Sequence, residues 1–195
     1  MLLLGSRLKN TPVMSLQTGQ ELARTSSPVI DPRTLSIIAY ELEGHLLNTN
    51  PSLLRIADIR EMSDIGMIVD SSEEFLAVDD VIKIQEVYNL DFKLIDMPVR
   101  DIKGRKIGKV HDYSLEIGNF VIQQLSVKRP LLMSLNDSEL LIHRSQIREI
   151  TDEVIIIESG ESKVEPLKEA ARNYVNPFRP QTDSAPSGNI SLNHR

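Results

Sequence analysis

The segment from Lys103 to Lys109 contains four basic side chains and two glycines, residue types that could cradle a phosphate. A nucleotide-binding loop of the Walker A type needs four residues between its glycines and a Ser or Thr after its lysine, because that hydroxyl holds Mg²⁺. Here three residues separate Gly104 from Gly108, and Val110 follows the last lysine. We therefore interpret the segment as a hairpin turn that leads into a β-strand.

The basic side chains of this segment form a local patch with two possible roles. Their charge would attract phosphate or an acidic protein, or it would keep a solvated strand edge from pairing with other chains. Aromatic side chains, on which single-stranded RNA bases stack, are missing nearby. The candidate partner-binding residues are Lys103, Arg105, Lys106 and Lys109, with Lys128 and Arg129 as an extension.

The other residues with chemical potential are scattered. None of the histidines, at positions 45, 111, 143 and 194, has a partner at metal-ligand spacing such as i, i+4. His111 and Asp112 are adjacent, and adjacent strand residues point to opposite faces, so they do not predict an acid–base pair. No nucleophile has an arranged base, and the chain has no cysteine. We expect no catalytic residues, no metal and no cofactor.

Two stretches of the chain repeat each other, and we name them the first copy and the second copy. Ile59-Arg60-Glu61 recurs as Ile147-Arg148-Glu149, and each triplet leads into an apolar run. We interpret the Arg-Glu pairs as parts of turn or cross-strand ion pairs. Further matches keep their order over about 60 residues, which indicates a tandem duplication. They pair Pro12 with Pro98, Gly19 with Gly104, Leu35 with Phe120, Ile37 with Ile122, Tyr40 with Leu125 and Leu42 with Val127.

Each copy has the pattern of an all-β fold, with short runs of Ile, Leu and Val between Gly, Asn, Asp and Pro. The period of two breaks between Ile37 and Tyr40 and between Ile122 and Leu125, which predicts a β-bulge in each copy. Gly108 is a second candidate bend. Because bulges turn the corners of small sheets, we expect closed barrels. In the second copy the predicted strands are Val99–Ile102, Lys106–Tyr113, Phe120–Val127, Leu131–Leu135, Glu139–His143 and Val154–Glu158.

If the copies superpose, equivalent apolar positions should be equally buried. We expect Leu35, Ile37, Ile59 and Ile68 to point inward like Phe120, Ile122, Ile147 and Ile156.

An acidic connector separates the copies. Residues 71–97 hold seven acids against two lysines, whereas residues 98–160 hold nine of each sign, in a chain with a net charge of −6. Nucleic-acid-binding domains usually show the opposite balance. Ser72 to Glu74 indicates a helix start, and apolar spacing predicts a helix from Asp79 to Tyr88. The predicted divisions are the first domain at 1–75, the connector at 76–89, the second domain at 90–160 and a C-terminal segment at 161–195.

The C-terminal segment has a different composition from the copies. A short helix is predicted after Glu165, and beyond Pro177 too little apolar surface is present to fold. Its apolar stripe would anchor it on the rest of the chain or in a groove of a partner. The stripe comprises Val164, Leu167, Ala171, Tyr174 and Phe178, of which Leu167, Tyr174 and Phe178 are the candidate contacts if the helix binds a partner.

The N-terminal residues do not predict export. Met1 to Leu4 lead directly to Gly5, without the basic region and the longer apolar region of a signal peptide. No stretch approaches the roughly 20 apolar residues that span a bilayer. We expect a cytoplasmic protein without membrane insertion.

The second copy resembles a known family. Its pattern Pro-Val-x-Asp-x-x-Gly-x-x-Ile-Gly-x-Val-x-Asp, from Pro98 to Asp112, and its later Asp152-x-Val-Ile-Ile are similar to the PRC-barrel domain. The first copy matches in part, with Ala23 in the place of Gly108 and Ser27 in the place of the last aspartate. The resemblance implies an all-β fold of two small six-stranded barrels in tandem.

The resemblance also implies a function. PRC-barrel domains, as in the photosynthetic reaction centre H subunit and a small-subunit ribosome maturation factor, act mainly as adaptors that contact proteins or an assembled particle. We therefore expect a non-catalytic adaptor that binds another protein. The alternative is an RNA-processing or ribosome-associated factor, which would use the basic patch as a phosphate footprint.

Overall fold

The computed structural model describes residues 1–45, 47–129 and 139–158. The expected mainly β fold is confirmed: within these ranges there are fourteen strands and one α-helix, α1, at Ile82–Tyr88. The strands up to the connector are β1 Leu2–Leu4, β2 Pro12–Ser15, β3 Glu21–Asp31, β4 Ser36–Glu43, β5 Ser52–Arg55, β6 Glu61–Ser63, β7 Gly66–Val69 and β8 Phe75–Leu76. The later strands are β9 Pro98–Asp101, β10 Lys106–Glu116, β11 Val121–Lys128, β12 Glu139–His143, β13 Ile147–Ile150 and β14 Ile155–Ile157.

Each copy contributes six strands that are joined in the same order. The neighbours run β6, β7, β2, β3, β4, β5 in the first copy and β13, β14, β9, β10, β11, β12 in the second. The β2–β7 and β9–β14 pairs are parallel, and the other pairs within each copy are antiparallel. The repeat in the sequence is therefore also a repeat in strand topology.

The equivalence extends to single residues. Val13 is opposite Met67 in the first parallel pair, and Val99 is opposite Ile155 in the second. Left-handed backbone, which is uncommon away from glycine, also recurs at equivalent positions. These positions are Asn10 and Asp96, Gly19 and Gly104, and Leu35 and Phe120.

The predicted bulges are present. β4 has one extra residue, Ile38, opposite the step from Val29 to Ile30. β11 has the equivalent extra residue, Gln123. An extra residue bends the strand and raises its twist, so both copies curve at the same point.

Gly108 lies where two strands approach closely. A Cβ atom on it would lie 2.2 Å from the carbonyl oxygen of Lys128, and the register between β9 and β10 shifts beside it. The first copy makes room differently, because Ala23 stands in the place of Gly108 and Gly44 lies across from it. A Cβ atom on Gly44 would come 3.1 Å from the Cα of Ala23.

Several predicted boundaries differ from the observed ones. The helix predicted from Asp79 begins at Ile82, because a 3-10 turn at Val78–Asp80 precedes it. The helix start predicted at Ser72 is a single 3-10 turn that leads into β8. The strand predicted at 131–135 and the helix predicted after Glu165 lie outside the described residues.

Of the positions predicted to point inward, those within β4 and β11 or directly before them are fully buried, and the others are half-buried. Equivalent residues agree: Leu35, Ile37, Phe120 and Ile122 are buried, while Ile59, Ile147, Ile68 and Ile156 are half-buried. The prediction for Ile68 and Ile156 was wrong by one position, because neighbouring strand residues face opposite sides. The buried residues of β7 and β14 are Met67, Val69, Ile155 and Ile157.

The copies meet at the beginning of β4 and β11. The Ile37 N–H donates to the Phe120 carbonyl oxygen at 3.0 Å, and the Ile122 N–H donates to the Leu35 carbonyl oxygen at 2.8 Å. Since Leu35 is equivalent to Phe120 and Ile37 to Ile122, an approximate two-fold axis relates the two bonds.

The segment that precedes each copy packs on the other copy. β1 precedes the first copy and pairs with β10 of the second. α1 precedes the second copy and packs on the first, where its Ile84 and Val87 join Val29, Ala39 and Leu53 in one apolar cluster. The two copies are therefore linked by backbone pairing on one side and by apolar packing on the other.

The main core is shared. One continuous cluster contains buried apolar side chains of both copies, and the rings of Tyr40 and Phe120 meet edge to face with centroids 6.5 Å apart. The described residues of both copies belong to one compact unit. Among the described strands the sheet stays open, since no ladder joins β5 to β6 or β12 to β13. The domain boundaries predicted from the sequence stay predictions.

Candidate functional site

Asp101 shapes the turn that carries the basic patch. Its carboxylate accepts hydrogen bonds from the backbone N–H of Lys103 at 2.8 Å and of Arg105 at 2.9 Å, and from Arg105 Nε at 2.6 Å. Burial raises the carboxyl pKa, but these bonds and the Arg105 charge outweigh it and lower the pKa of Asp101 to about 2. Gly104, with φ of 78°, lets the chain reverse here. The turn therefore presents Lys103 and Arg105 in a fixed backbone geometry.

The strands beside the turn add further basic side chains. Lys106 is directly opposite Arg100 of β9, and Lys109 is directly opposite Lys128 of β11. Directly opposite residues point to the same face of a sheet, with Cβ atoms about 5 Å apart. The Arg100 guanidinium also donates to the Gly104 carbonyl oxygen, which ties β9 to the turn. We name the exposed residues Arg100, Lys103, Arg105, Lys106, Lys109 and Lys128 the basic face.

The structure brings together the four basic residues predicted from the sequence and places Lys128 and Arg100 beside them. Lys128 was predicted as an extension, whereas Arg100 was missed because strand register is not readable from its position in the chain. Arg129, the other predicted extension, lies half-buried beyond the end of β11. Among the residues that the structure describes, Lys103, Lys106 and Lys109 have no ion-pair partner. Leu167, Tyr174 and Phe178 lie outside those residues.

The first copy has a different surface at the equivalent positions. Arg24, the counterpart of Lys109, is directly opposite Glu43. Arg24 also forms an ion pair with Glu21 at 2.7 Å. The counterparts of the basic face are Met14, Gln17, Gln20, Glu21, Arg24 and Glu43, so one basic and two acidic residues stand where the second copy has six basic ones.

The arginines of the repeated triplets form ion pairs with acids beyond the triplets. Arg60 donates to Asp70 of the neighbouring chain segment, with Nε at 2.9 Å from Oδ1. This hydrogen bond is the main reason that the pKa of Asp70 is lowered. Arg148 forms the equivalent ion pair with Glu158 at 2.7 Å. The prediction of cross-strand pairs was right in kind, and the partners are the acids that follow β7 and β14.

A cleft of about 950 Å³ lies where the two copies and their preceding segments meet. The register shift in β3 after Thr25 and the shift in β10 at His111 both lie on its wall. Asp112, next to the second shift, accepts hydrogen bonds from Ser6 Oγ at 2.5 Å and from the Ser6 N–H at 3.1 Å. The cleft is lined by residues 5, 6 and 9, 26–30, 40–41, 87–89, 91–96 and 111–113.

Two tyrosines stand out in the cleft wall. The Tyr40 hydroxyl is buried and has no hydrogen-bond partner among the described residues. Tyr113 is also buried, and a Cβ atom on Gly5 would lie 2.3 Å from its ring, so Gly5 is what allows the ring to sit there. Burial raises the pKa of both phenols, which keeps them neutral.

At the rim of the cleft, Tyr88 connects α1 to β4. Its hydroxyl donates to Glu41 Oε1 at 2.7 Å, and this hydrogen bond, with burial, raises the pKa of Tyr88 to about 12. The bond fixes one wall of the cleft. Sequence reasoning did not find this region, although one signal was present: Tyr40 places a hydroxyl at a core position where the second copy has Leu125.

Within residues 1–45, 47–129 and 139–158, no group of three or more His, Cys, Asp or Glu side chains is placed to hold a metal ion. None of the helices in the same ranges combines the length and the apolar character that crossing a bilayer requires.

Comparison of the chain with models of known protein families gives no match, and comparison with curated protein sequences gives none either.

Proposed function

We propose that this chain is a non-catalytic adaptor, built as a tandem pair of PRC-barrel-like domains, that binds an acidic surface of another protein through its basic face. Six strands in the same order in each copy support the tandem arrangement, since the family barrel also has six strands. The shared core and the exchanged preceding segments make the pair a rigid platform. A binding role, in contrast to catalysis, fits a surface whose main feature is charge.

The observation that carries the proposal is the pairing of like charges. Lys109 is directly opposite Lys128, and Lys106 is directly opposite Arg100. Like charges that are directly opposite destabilise a sheet. Glu139 on the far side of Lys128 offsets this in part. A surface that conflicts with the stability of its own sheet is typical of a functional site.

A protein partner is favoured over RNA. Base stacking needs aromatic side chains, and the described residues of the basic face and its turn include none. The chain as a whole carries a net charge of −6, and the connector is acidic, which would repel a long polyanion.

RNA is kept as the second candidate function because lysines of the basic face have no ion-pair partner among the described residues. Lys103, Lys106 and Lys109 are exposed and form no ion pair with any described residue. Unpaired lysines of this kind neutralise phosphates and release counterions. A ribosome-associated role would use the same side chains.

Defined probes separate these candidates. Fluorescence anisotropy measures the binding of a labelled oligoglutamate peptide and of labelled oligouridylate RNA at low and at physiological ionic strength. The triple variant Lys103→Gln, Lys106→Gln, Lys109→Gln should weaken peptide binding about tenfold, since each rim charge contributes a fraction of a kcal/mol to about 1 kcal/mol. Arg105 is left in place because its side chain holds the turn with Asp101.

The control variant removes the same charge elsewhere. Lys9→Gln, Lys83→Gln, Lys93→Gln lies outside the basic face and should leave the peptide affinity within about twofold. Tighter binding of oligouridylate than of oligoglutamate at equal ionic strength would favour the RNA candidate. If neither probe binds at low ionic strength, or if both triple variants lose affinity equally, the basic face is not the binding surface.

A further inference from the structure

Part of the cleft lining comes from equivalent segments of the two copies. Residues 5–9, which precede the first copy, are equivalent to residues 91–95, which precede the second, and Ser26 to Pro28 are equivalent to His111 to Tyr113. Tyr40 and Glu41 line the cleft without their second-copy counterparts, so the cleft as a whole is asymmetric. Its volume of about 950 Å³ is within the range of small-molecule sites.

Polar groups on the wall point to one kind of contact. The Tyr113 side chain lines the cleft, and its hydroxyl has no hydrogen bond to a described residue. The Tyr40 hydroxyl is buried below the surface of the wall, so a molecule in the cleft does not reach it. The neutral phenol of Tyr113 is a hydrogen-bond donor for an oxygen atom of a bound molecule.

The charges of the cleft disfavour an anion. Its acids outnumber its lysines, and the Lys93 ammonium already lies 3.1 Å from the carboxylate of Asp91. The Glu41 carboxylate accepts from Tyr88, and that of Asp112 accepts from Ser6. The charged and titratable groups of the lining are Lys9, Lys93, Glu41, Asp91, Asp96, Asp112 and the imidazole of His111.

Several segments of the wall are apolar. Pro28, Val29 and Ile30 come from β3, and Val87 comes from α1. Phe92 and Leu94 come from the segment before the second copy. An apolar wall with a few convergent polar groups is typical of small-molecule sites.

We propose that this cleft binds a small, uncharged and largely apolar molecule that carries a hydrogen-bond-accepting oxygen, such as a ketone or amide carbonyl. The oxygen accepts from the Tyr113 hydroxyl, and the apolar body lies against the β3 and α1 wall. This site is separate from the basic face, so it stands or falls independently of the adaptor proposal.

Nile red is a suitable probe, because it is uncharged, mostly apolar, carries one carbonyl oxygen and changes fluorescence when it leaves water. We expect saturable binding by the full chain. Tyr113→Phe removes only the hydroxyl and should weaken binding about fivefold. Ser27→Trp places a large ring at the exposed edge of the cleft and should weaken binding at least about tenfold.

A matched control and an anionic probe complete the test. Gln17→Trp adds the same ring to an exposed turn outside the cleft and should leave the Kd within about twofold. The sulfonate dye 1-anilinonaphthalene-8-sulfonate should bind more weakly than Nile red, because the cleft carries more acids than lysines. Thermal unfolding by circular dichroism confirms that each variant is folded.

Three results would overturn the proposal. The first is the absence of saturable Nile red binding by the unmodified chain. The second is a Ser27→Trp variant that binds as tightly as the Gln17→Trp variant. The third is unchanged affinity in the Tyr113→Phe variant, which would mean that its hydroxyl takes no part.

Discussion

At the beginning of β3 in the first copy, Arg24 faces Glu43 across the strand pair; at the same point in the second copy, Lys109 faces Lys128. The backbone around these positions is equivalent, down to the register shifts and the left-handed residues. Buried positions therefore hold the two copies to one fold, while exposed positions are free to differ. The second copy carries more positive charge at these exposed positions, and the facing like charges lower the stability of its own sheet.

The largest expected effect tests whether equivalent core positions of the two copies are packed equally well. Ile37→Ala and Ile122→Ala remove equivalent side chains that are 2% and 0% exposed. Each should lower the free energy of unfolding by about 3–4 kcal/mol, and the two values should agree within about 1 kcal/mol. Urea denaturation followed by circular dichroism measures both. Strongly unequal losses would mean that equal backbones conceal unequal packing.

The second prediction concerns the close approach of strands, which each copy solves in its own way. Gly108→Ala should lower the free energy of unfolding by about 2 kcal/mol, because the new Cβ overlaps the carbonyl oxygen of Lys128. Ala23→Gly at the equivalent position should cost only about 1 kcal/mol, through backbone entropy. Gly118→Ala is the control, since a Cβ atom there meets nothing within 4 Å. A neutral Gly108→Ala variant would contradict the steric explanation.

The third prediction compares the first turn of each copy. Ser15, the counterpart of Asp101, accepts from the Thr18 N–H and donates to the Asp70 carbonyl oxygen, so the first copy holds its turn without a carboxylate. Asp101→Ser in the second copy should lower Tm by a few degrees at neutral pH, because the Lys103 and Arg105 N–H groups lose a charged acceptor.

The pH dependence of this variant follows from the lowered pKa. Asp101 titrates at about 2 in the folded chain, and at about 4 when unfolded. Its contribution is therefore fully present above about pH 4 and is lost as the pH falls toward about 2. Calorimetry should show the Tm difference between the unmodified chain and Asp101→Ser shrinking over this range. A difference that does not change with pH would rule out the carboxylate as its cause.

The smallest expected effect comes from substitutions that reverse the sign of one charge in each copy. Lys109→Glu faces Lys128 and should raise the free energy of unfolding by about 0.5 kcal/mol, whereas Arg24→Glu faces Glu43 and should lower it by a similar amount. Both effects should shrink at high salt. Lys109→Glu should also weaken oligoglutamate binding. If both substitutions changed the free energy of unfolding in the same direction, the charge on the facing residue would not be what determines their effects.

The parts of the fold that were predictable are those encoded within one strand. The step of three between Ile37 and Tyr40 predicted the bulge, because an extra residue shifts the alternation of every side chain after it. The inward phase of β7 was not predictable from Ile68, because its apolar neighbours Met67 and Val69 fit either face. In a strand this short, burial is decided by the neighbouring strands.

The candidate sites were predictable only as far as they are local in the chain. Lys103 to Lys109 are close in sequence, so their patch was visible. Arg100 joins it through strand register, and the cleft arises only when the two copies meet. Tyr40 looked like one more core position of β4, whereas its ring packs against Phe120 of the second copy and its hydroxyl has no partner among the described residues.

The exchange of hydrogen bonds between Leu35 and Ile37 on one side and Phe120 and Ile122 on the other is the arrangement of a symmetric homodimer, in which one surface is its own partner. In such a dimer every substitution appears twice. Two copies that are joined in one chain are free of that constraint. Arg24 in the first copy and Lys109 in the second can therefore stand at equivalent positions of one molecule.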